Sequence, residues 1–361
     1  MSEAVPGPVE GCSPQAGSTG QDGSMLLVAA NALHDDHDTG DGHPEHPGRL
    51  RAALQGIASA GISDGVVELQ ARPATHAELV AVHDSGYLDA LADLCAEGGG
   101  HLDPDTAASP GSWDTALLTA GAGLVAAEAL SAGKGAAAFV LGRPPGHHAT
   151  RAQAMGFCLI NNVAVTAAAL AERGERVAII DWDVHHGNGT QDIFWSDPRV
   201  LYVSVHQWPL YPGTGRSDER GAGGGVGTTI NLPMPPRTTG DAYLALFDEV
   251  ITPCVERFGP TWVLVSAGFD AHRDDPLGEM LLTAGDYADL TRRSISLAPR
   301  SGRTIAFLEG GYGLEGLRLS VGACAAALVG QDFRPEPASS GGAGVTRVPG
   351  YRARFVEEEQ S

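Results

Sequence analysis

Val177-Ala178-Ile179-Ile180, running straight into Asp181-Trp182-Asp183-Val184-His185-His186-Gly187-Asn188-Gly189, is a short apolar run that breaks abruptly into acids, imidazoles and glycines. Such a run suits a strand buried on both faces, as in a parallel sheet. The same kind of run recurs at Met25–Ala30, Ala136–Leu141, Val200–Val205, Thr261–Val265 and Thr304–Leu308. Ala-rich stretches with helical character lie between them: Pro47–Ser59, Ala77–Ala92, Trp113–Ala132, Val163–Glu172, Asp241–Phe258, Ala284–Leu297 and Leu314–Val329. This alternation predicts an α/β fold, a mostly parallel central sheet with helices on both faces. No internal repeat is visible.

The polar residues are not scattered over this frame. Gly146-His147-His148 follows the run ending at Leu141, Asp270 follows the run ending at Val265, and Tyr312 follows the run ending at Leu308. In open α/β sheets the ligand site lies outside the carboxyl ends of the strands. Four motifs therefore fall on one edge.

Together these residue types read as those of a metal-activated hydrolase. Asp183 and His185 are two apart at a strand end, so both side chains leave one face. With Asp270 they offer the three protein ligands usual for a catalytic zinc, which keeps a further position open. The plainer alternative has Asp183 and His185 holding a loop and Asp270 starting a helix. Next to a metal, one of His147 and His148 can take a proton from an activated water and return it to a leaving amine. Each imidazole needs a partner to set its tautomer, and Asp181 and Asn188 are the natural ones. Tyr312, in Gly310-Gly311-Tyr312-Gly313, can stabilise a tetrahedral oxyanion, unless it is only a packed loop tyrosine. The glycines of Gly187-Asn188-Gly189 lack the full dinucleotide-binding pattern.

Composition narrows the setting. The 361 residues suffice for one large α/β domain or two smaller ones, and 43% are hydrophobic, enough for a sizeable core. A formal charge of −21 disfavours nucleic acid and anionic membrane as partners, although it would attract a basic protein. Lys134 is the only lysine beside 22 arginines. Five cysteines (Cys12, Cys95, Cys158, Cys254, Cys324) without CxxC spacing read as free thiols of a reducing cytoplasm. No apolar run approaches the ~20 residues of a membrane span, and no signal-peptide pattern opens the chain. Residues 1–24 and 331–361 lack apolar periodicity and are expected to be disordered tails around a catalytic domain of residues 25–330.

Arg143–His148, Gly156–Asn162, Asp181–Thr190, Tyr202–His206, Pro212–Gly215, Ser266–His272 and Glu309–Tyr312 together resemble the zinc-dependent histone deacetylase and acetylpolyamine amidohydrolase superfamily, most of all its class II, bacterial histone-deacetylase-like branch. The resemblance covers residues 25–330 and implies the arginase/deacetylase fold. It implies zinc on Asp183, His185 and Asp270, His148 as principal acid/base and His147 as its electrostatic partner. Asp181 would then serve His147 and Asn188 would serve His148. It further implies a potassium ion near Asp181, Asp183, His185, Ser204 and Val205, partly on backbone oxygens, and a second near Phe194, Asp197 and Val200.

Gly156 and Phe157 would wall a narrow tunnel for the acylated amine, with the Trp208–Tyr211 loop opposite, where this chain departs from the usual aromatic pattern. Arg49 would lie buried behind the site, below a mouth loop running from His34. Leu277 matches lysine deacetylases, whereas polyamine-specific relatives carry glutamate there. Asp105 aligns with an acidic rim residue that holds substrate, with Asp103 as a competitor for that role. The expected reaction is hydrolysis of the amide of N-acetyl-lysine in a protein or peptide, giving acetate and free amine. Acetylpolyamines or other small acetylated amines are the alternative substrates, and a non-catalytic acyl-lysine binder is a third reading. Assembly into a homo-oligomer is left open.

Overall fold

The computed structural model describes Met1, residues 25–30 and residues 32–358. Its strands are β1 (Leu26–Ala30), β2 (Val66–Glu68), β3 (Gly100–His101), β4 (Ala107–Ala108), β5 (Ala137–Leu141), β6 (Val177–Asp181), β7 (Val200–Gln207), β8 (Thr229–Met234), β9 (Trp262–Ala267) and β10 (Thr304–Leu308). Eight of them form one sheet in the order β2-β1-β5-β10-β9-β6-β7-β8, and every pairing in it is parallel. β3 and β4 make a separate antiparallel ribbon.

Alternate residues of one strand feed two different apolar layers. Ala178 and Ile180 of β6 join one core and Val177 and Ile179 the other; β9 likewise sends Val263 and Val265 one way and Trp262 and Leu264 the other. Helices cover both faces, so the central strands are buried on both sides and mostly apolar, with polar residues gathered toward their carboxyl ends. Each fully buried Val, Ile or Leu side chain among these contributes roughly 1.5–3 kcal/mol of transfer free energy.

The six apolar runs are all strands. Two edge strands had no such signal: β2 has three residues, and β8 (Thr-Ile-Asn-Leu-Pro-Met) mixes polar residues with a proline that an edge tolerates. The stretch predicted as one helix over Ala77–Ala92 is two, His76–Leu79 and Ser85–Ala96. His83 between them turns inward: its Nδ1–H donates to the Thr150 carbonyl (2.8 Å) and its Nε2 accepts from the Asn161 N–H (3.0 Å). Asp241–Phe258 is helical throughout but widens to a π turn over Phe247–Ile251. Pro253, just beyond it, brings no N–H to the helical ladder and crowds the turn before it.

The expectation of a disordered C-terminal tail over 331–361 is corrected for the described part. Residues 348–352 form a helix that continues in a π turn over Ala353–Glu357, with Val348, Tyr351 and Phe355 in the main core. Three apolar residues spaced by three and four make one helical stripe, diluted in the sequence by Arg, Gly and Pro around it. Upstream, Glu336 accepts from the Ala284 N–H (2.9 Å) and lies 2.8 Å from His272 Nε2. The N-terminal tail expected over 1–24 lies, apart from Met1, outside the described residues, as do residues 359–361.

Candidate active site

Four strand ends converge at the carboxyl edge of the sheet. β6 delivers Asp181, Asp183 and His185; β9 delivers Asp270; β10 delivers Glu309 and Tyr312; β5 leads into His147 and His148. Ligand atoms of Asp183, His185 and Asp270 all lie within 4.8 Å of one another. His185 Nδ1 is 3.2 Å from Asp183 Oδ1 and 3.1 Å from Asp270 Oδ2. The remaining carboxylate oxygens are held by backbone: Gly310 N–H donates to Asp183 Oδ2 (2.8 Å) and Val184 N–H to Asp270 Oδ1 (2.9 Å). A Cβ at Gly310 would sit 2.0 Å from Asp270 Oδ2 and 2.6 Å from Asp183 Oδ2, so only glycine lets the backbone approach this closely.

Two fully buried carboxylates thus face one imidazole. Burial and the neighbouring Asp183 push Asp270 up to about 7; against burial, the bonds to Asp183 and Asp270 push His185 up to about 10. A buried cluster with surplus negative charge and one nitrogen fits a divalent cation of zinc's ligand preference.

His147 and His148 lie side by side, ring centroids 4.1 Å apart, yet have different partners. His147 Nδ1 is 3.0 Å from Asp181 Oδ2, and His148 Nδ1 is 2.8 Å from Asn188 Oδ1. Against burial, Asp183 and Asp181 raise His147 to about 10. Burial, then the positive charge of His147 and His185, holds His148 well below the ordinary imidazole range. A charged imidazole therefore sits beside a neutral one, whose Nδ1–H is spent on Asn188 and whose Nε2 is free to accept.

Asp181 also takes the Tyr202 hydroxyl (3.0 Å) and the Asp183 N–H (3.1 Å). Sheet register sets Asp181 opposite Ser204, bringing oxygens of neighbouring strand ends together beside Val205. Ser204 Oγ is 2.9 Å from His206 Nδ1. Phe194, Asp197 and Val200 close one turn, with Asp197 N–H on the Phe194 carbonyl (3.0 Å) and Val200 N–H on that of Asp197 (3.4 Å).

A cavity of about 250 Å³ reaches this edge, lined by Gly156, Phe157, Leu210, Tyr211 and Leu277, with His148, His185 and Tyr312 among its polar walls. Gly156 and Phe157 both have positive φ (55° and 68°). That conformation is strained for Phe157, and Thr106 Oγ1 accepts its N–H at 3.0 Å. The Phe157 ring meets Tyr312 edge-on (5.6 Å), while Tyr211 meets His148 edge-on (5.2 Å). Asp105 lines the same cavity. Asp103 instead turns back to take the Asp105 N–H at 2.9 Å, which leaves the two acids in different roles.

Three supports escaped sequence reasoning. Glu309 is fully buried and takes the N–H groups of Gly146 (2.7 Å) and His147 (3.1 Å), pinning the two-histidine turn; burial pushes it up to about 7. Its signal was an acid directly after the apolar run Ile305–Leu308 of β10. Asp275 takes the N–H groups of Tyr312 (2.6 Å) and Gly313 (2.9 Å). Buried Glu45 bridges Arg143 (2.6 Å) and Arg49 (3.1 Å), and Arg49 also donates to the carbonyls of Gly311 (2.7 Å) and Glu309.

Similarities to known proteins agree with this geometry. A family model described as "Histone deacetylase domain" matches residues 43–328. A "Probable deacetylase" of Archaeoglobus fulgidus is 41% identical over 298 residues, 80% of this chain and 83% of that one. A "Histone deacetylase-like amidohydrolase" of Pseudomonas aeruginosa is 39% identical over 276 residues, 75% of this chain and 73% of that one. The crystal structure of the HDA15 HD domain superposes with a TM-score of 0.83 at 36% identity, covering 93% of this chain and 96% of that one. The chain belongs to the histone deacetylase family and carries its arginase/deacetylase fold.

Proposed function

We propose that the protein is a zinc-dependent deacetylase that hydrolyses the amide of N-acetyl-lysine in a protein or peptide. The observation that carries this reading is the narrow cavity walled by Gly156, Phe157, Leu210, Tyr211 and Leu277, which brings His148, His185 and Tyr312 together at its polar walls. An unbranched acyl-lysine side chain suits such walls, and family membership supports the reaction class.

Asp183, His185 and Asp270 would hold the zinc ion, which when bound supplies Lewis acidity toward the amide carbonyl and a lowered pKa for water. His148 Nε2 takes the proton of the attacking water, because its Nδ1–H is committed to Asn188. The Tyr312 phenol stays protonated, since burial holds it well above its ordinary range, and donates to the developing oxyanion. The charged ring of His147, anchored on Asp181, steadies that negative charge. As the C–N bond breaks, His148 returns its proton to the amine nitrogen, releasing acetate and free lysine amine.

Potassium would sit at the ends of β6 and β7, on oxygens of Asp181, Asp183, His185, Ser204 and Val205, and a second ion in the Phe194–Val200 turn. Leu277 on the cavity wall favours lysine over a polyamine, whose extra ammonium groups an apolar wall repels. Asp105 on that wall favours the second reading, an acetylated polyamine, by charge. A cytoplasmic setting is supported by the buried free thiols of Cys95, Cys158, Cys254 and Cys324 among the described residues.

The deciding experiment measures kcat/KM of the zinc-loaded protein on an acetyl-lysine peptide and on an N-acetylated polyamine. Preference for the peptide is expected; preference for the polyamine overturns the substrate assignment. Binding of acetyl-lysine without release of acetate would make the protein a reader instead of an enzyme.

A further inference from the structure

The Trp208–Tyr211 loop has two sides. Leu210 and Tyr211 line the tunnel, whereas Trp208 lines a second, larger cavity of about 670 Å³. Trp208 N–H donates to the carbonyl of Met234 (2.8 Å), the last residue of β8. Trp208 directly follows β7, so the second cavity opens at the same carboxyl edge of the sheet as the tunnel.

Its lining is unusual for a chain of charge −21. Arg216, Arg347 and Arg354 line it against a single carboxylate, Asp218, which Arg216 already pairs at 3.1 Å. Arg347 is exposed and makes no ion pair among the described residues. Among the described residues Arg354 donates only to Ser217 Oγ (3.4 Å), and its Nε is buried there without a hydrogen-bond partner. Arg220 is held below the ordinary arginine range by burial and by the charge of Arg354, as expected where guanidiniums crowd. A buried donor without an acceptor costs free energy until a ligand supplies one.

We infer that this arginine-lined groove binds a carboxylate-bearing segment of the acetylated protein beside the acetyl-lysine, and so selects which acetyl-lysines enter the tunnel. The inference rests on the deacetylase reading above and deepens it. Trp208 and Tyr211 are three residues apart, at most about 11 Å along the chain. An acidic residue about three positions from the acetyl-lysine therefore spans the same distance. Planar guanidiniums pair with carboxylates bidentately, and the partly exposed Trp208 and Pro235 offer apolar contact for the aliphatic part of the segment.

The test compares two acetyl-lysine peptides that differ only in glutamate or glutamine at the flanking positions. The glutamate peptide should show about fivefold higher kcat/KM at low salt, and this ratio should fall toward 1 at about 0.5 M salt. Arg347→Glu, at an exposed position, should abolish the preference. Equal kcat/KM for the two peptides, or a preference that survives Arg347→Glu and Arg354→Gln, overturns the inference. Fluorescence anisotropy with the same peptides separates this failure from that of the deacetylase reading. If neither peptide is hydrolysed but the glutamate peptide binds more tightly and loses that advantage in Arg347→Glu, the groove stands and the reaction falls. Equal affinities sink the groove.

Discussion

The Arg49 guanidinium lies over the face of the Tyr312 ring, 4.7 Å from its centroid. From the same place it donates to the carbonyls of Glu309 and Gly311, both in the segment that leads into Tyr312. A planar fork spanning two carbonyls and Glu45 cannot be copied by a single ammonium. Arg49→Lys should therefore lower kcat more than it raises KM, with the phenol less well aimed. Tyr312→Phe should cut turnover about 10²–10³-fold, the size of a lost oxyanion donor, with zinc content unchanged. A near-normal rate in Tyr312→Phe contradicts the assigned role.

Asp270 accepts from the Val184 N–H and faces His185. Removing its carboxylate takes away one of three proposed ligands and relieves the crowding with Asp183. Asp270→Ala should bind zinc at well below one equivalent after dialysis, read by elemental analysis. Full occupancy refutes the ligand set.

Asn188 holds His148 through an amide, which orients the ring without adding charge. Asn188→Asp would place a carboxylate there and favour the imidazolium. Since His148 acts as a base in its neutral form, the acidic limb of kcat/KM should move to higher pH, by about one unit. An unmoved limb would show that another group controls it.

His83 ties the Thr150 and Asn161 segments together only when neutral, and burial holds it down to about 4. Unfolded, it would titrate near the usual ~6.5. Between these values the unfolded chain binds more protons, so stability rises with pH: this contribution is present above about 6.5 and is lost as pH falls toward 4. Its ceiling is about 3 kcal/mol. Melting temperatures from pH 7 to 4.5 should fall more steeply for the native protein than for His83→Ala; parallel slopes would remove His83 from the explanation.

Phe355 is fully buried in the main core although it lies near the C-terminus. Phe355→Ala should destabilise the protein by about 3–5 kcal/mol, visible as a lower denaturant midpoint. A loss below about 1 kcal/mol would mean that the C-terminal helix contributes little to the domain.

The chain's periodicity alone determined the six central strands and the edge on which chemistry gathers, because a parallel strand buried on both faces is mostly apolar and a polar residue at its end stands out. The residue spacing also brought forward Asp183, His185, Asp270, His147, His148 and Tyr312 as one group. What only the tertiary structure decided has a common cause: it depends on residues far apart in sequence. Glu309 pins a turn more than 160 residues upstream of it, and Asp105 rather than Asp103 reaches the cavity because the latter is spent on its own loop. The helix break at His83 follows from partners at Thr150 and Asn161, not from local propensity. The C-terminal segment is ordered because Val348, Tyr351 and Phe355 find a core built by other elements, which no local composition records.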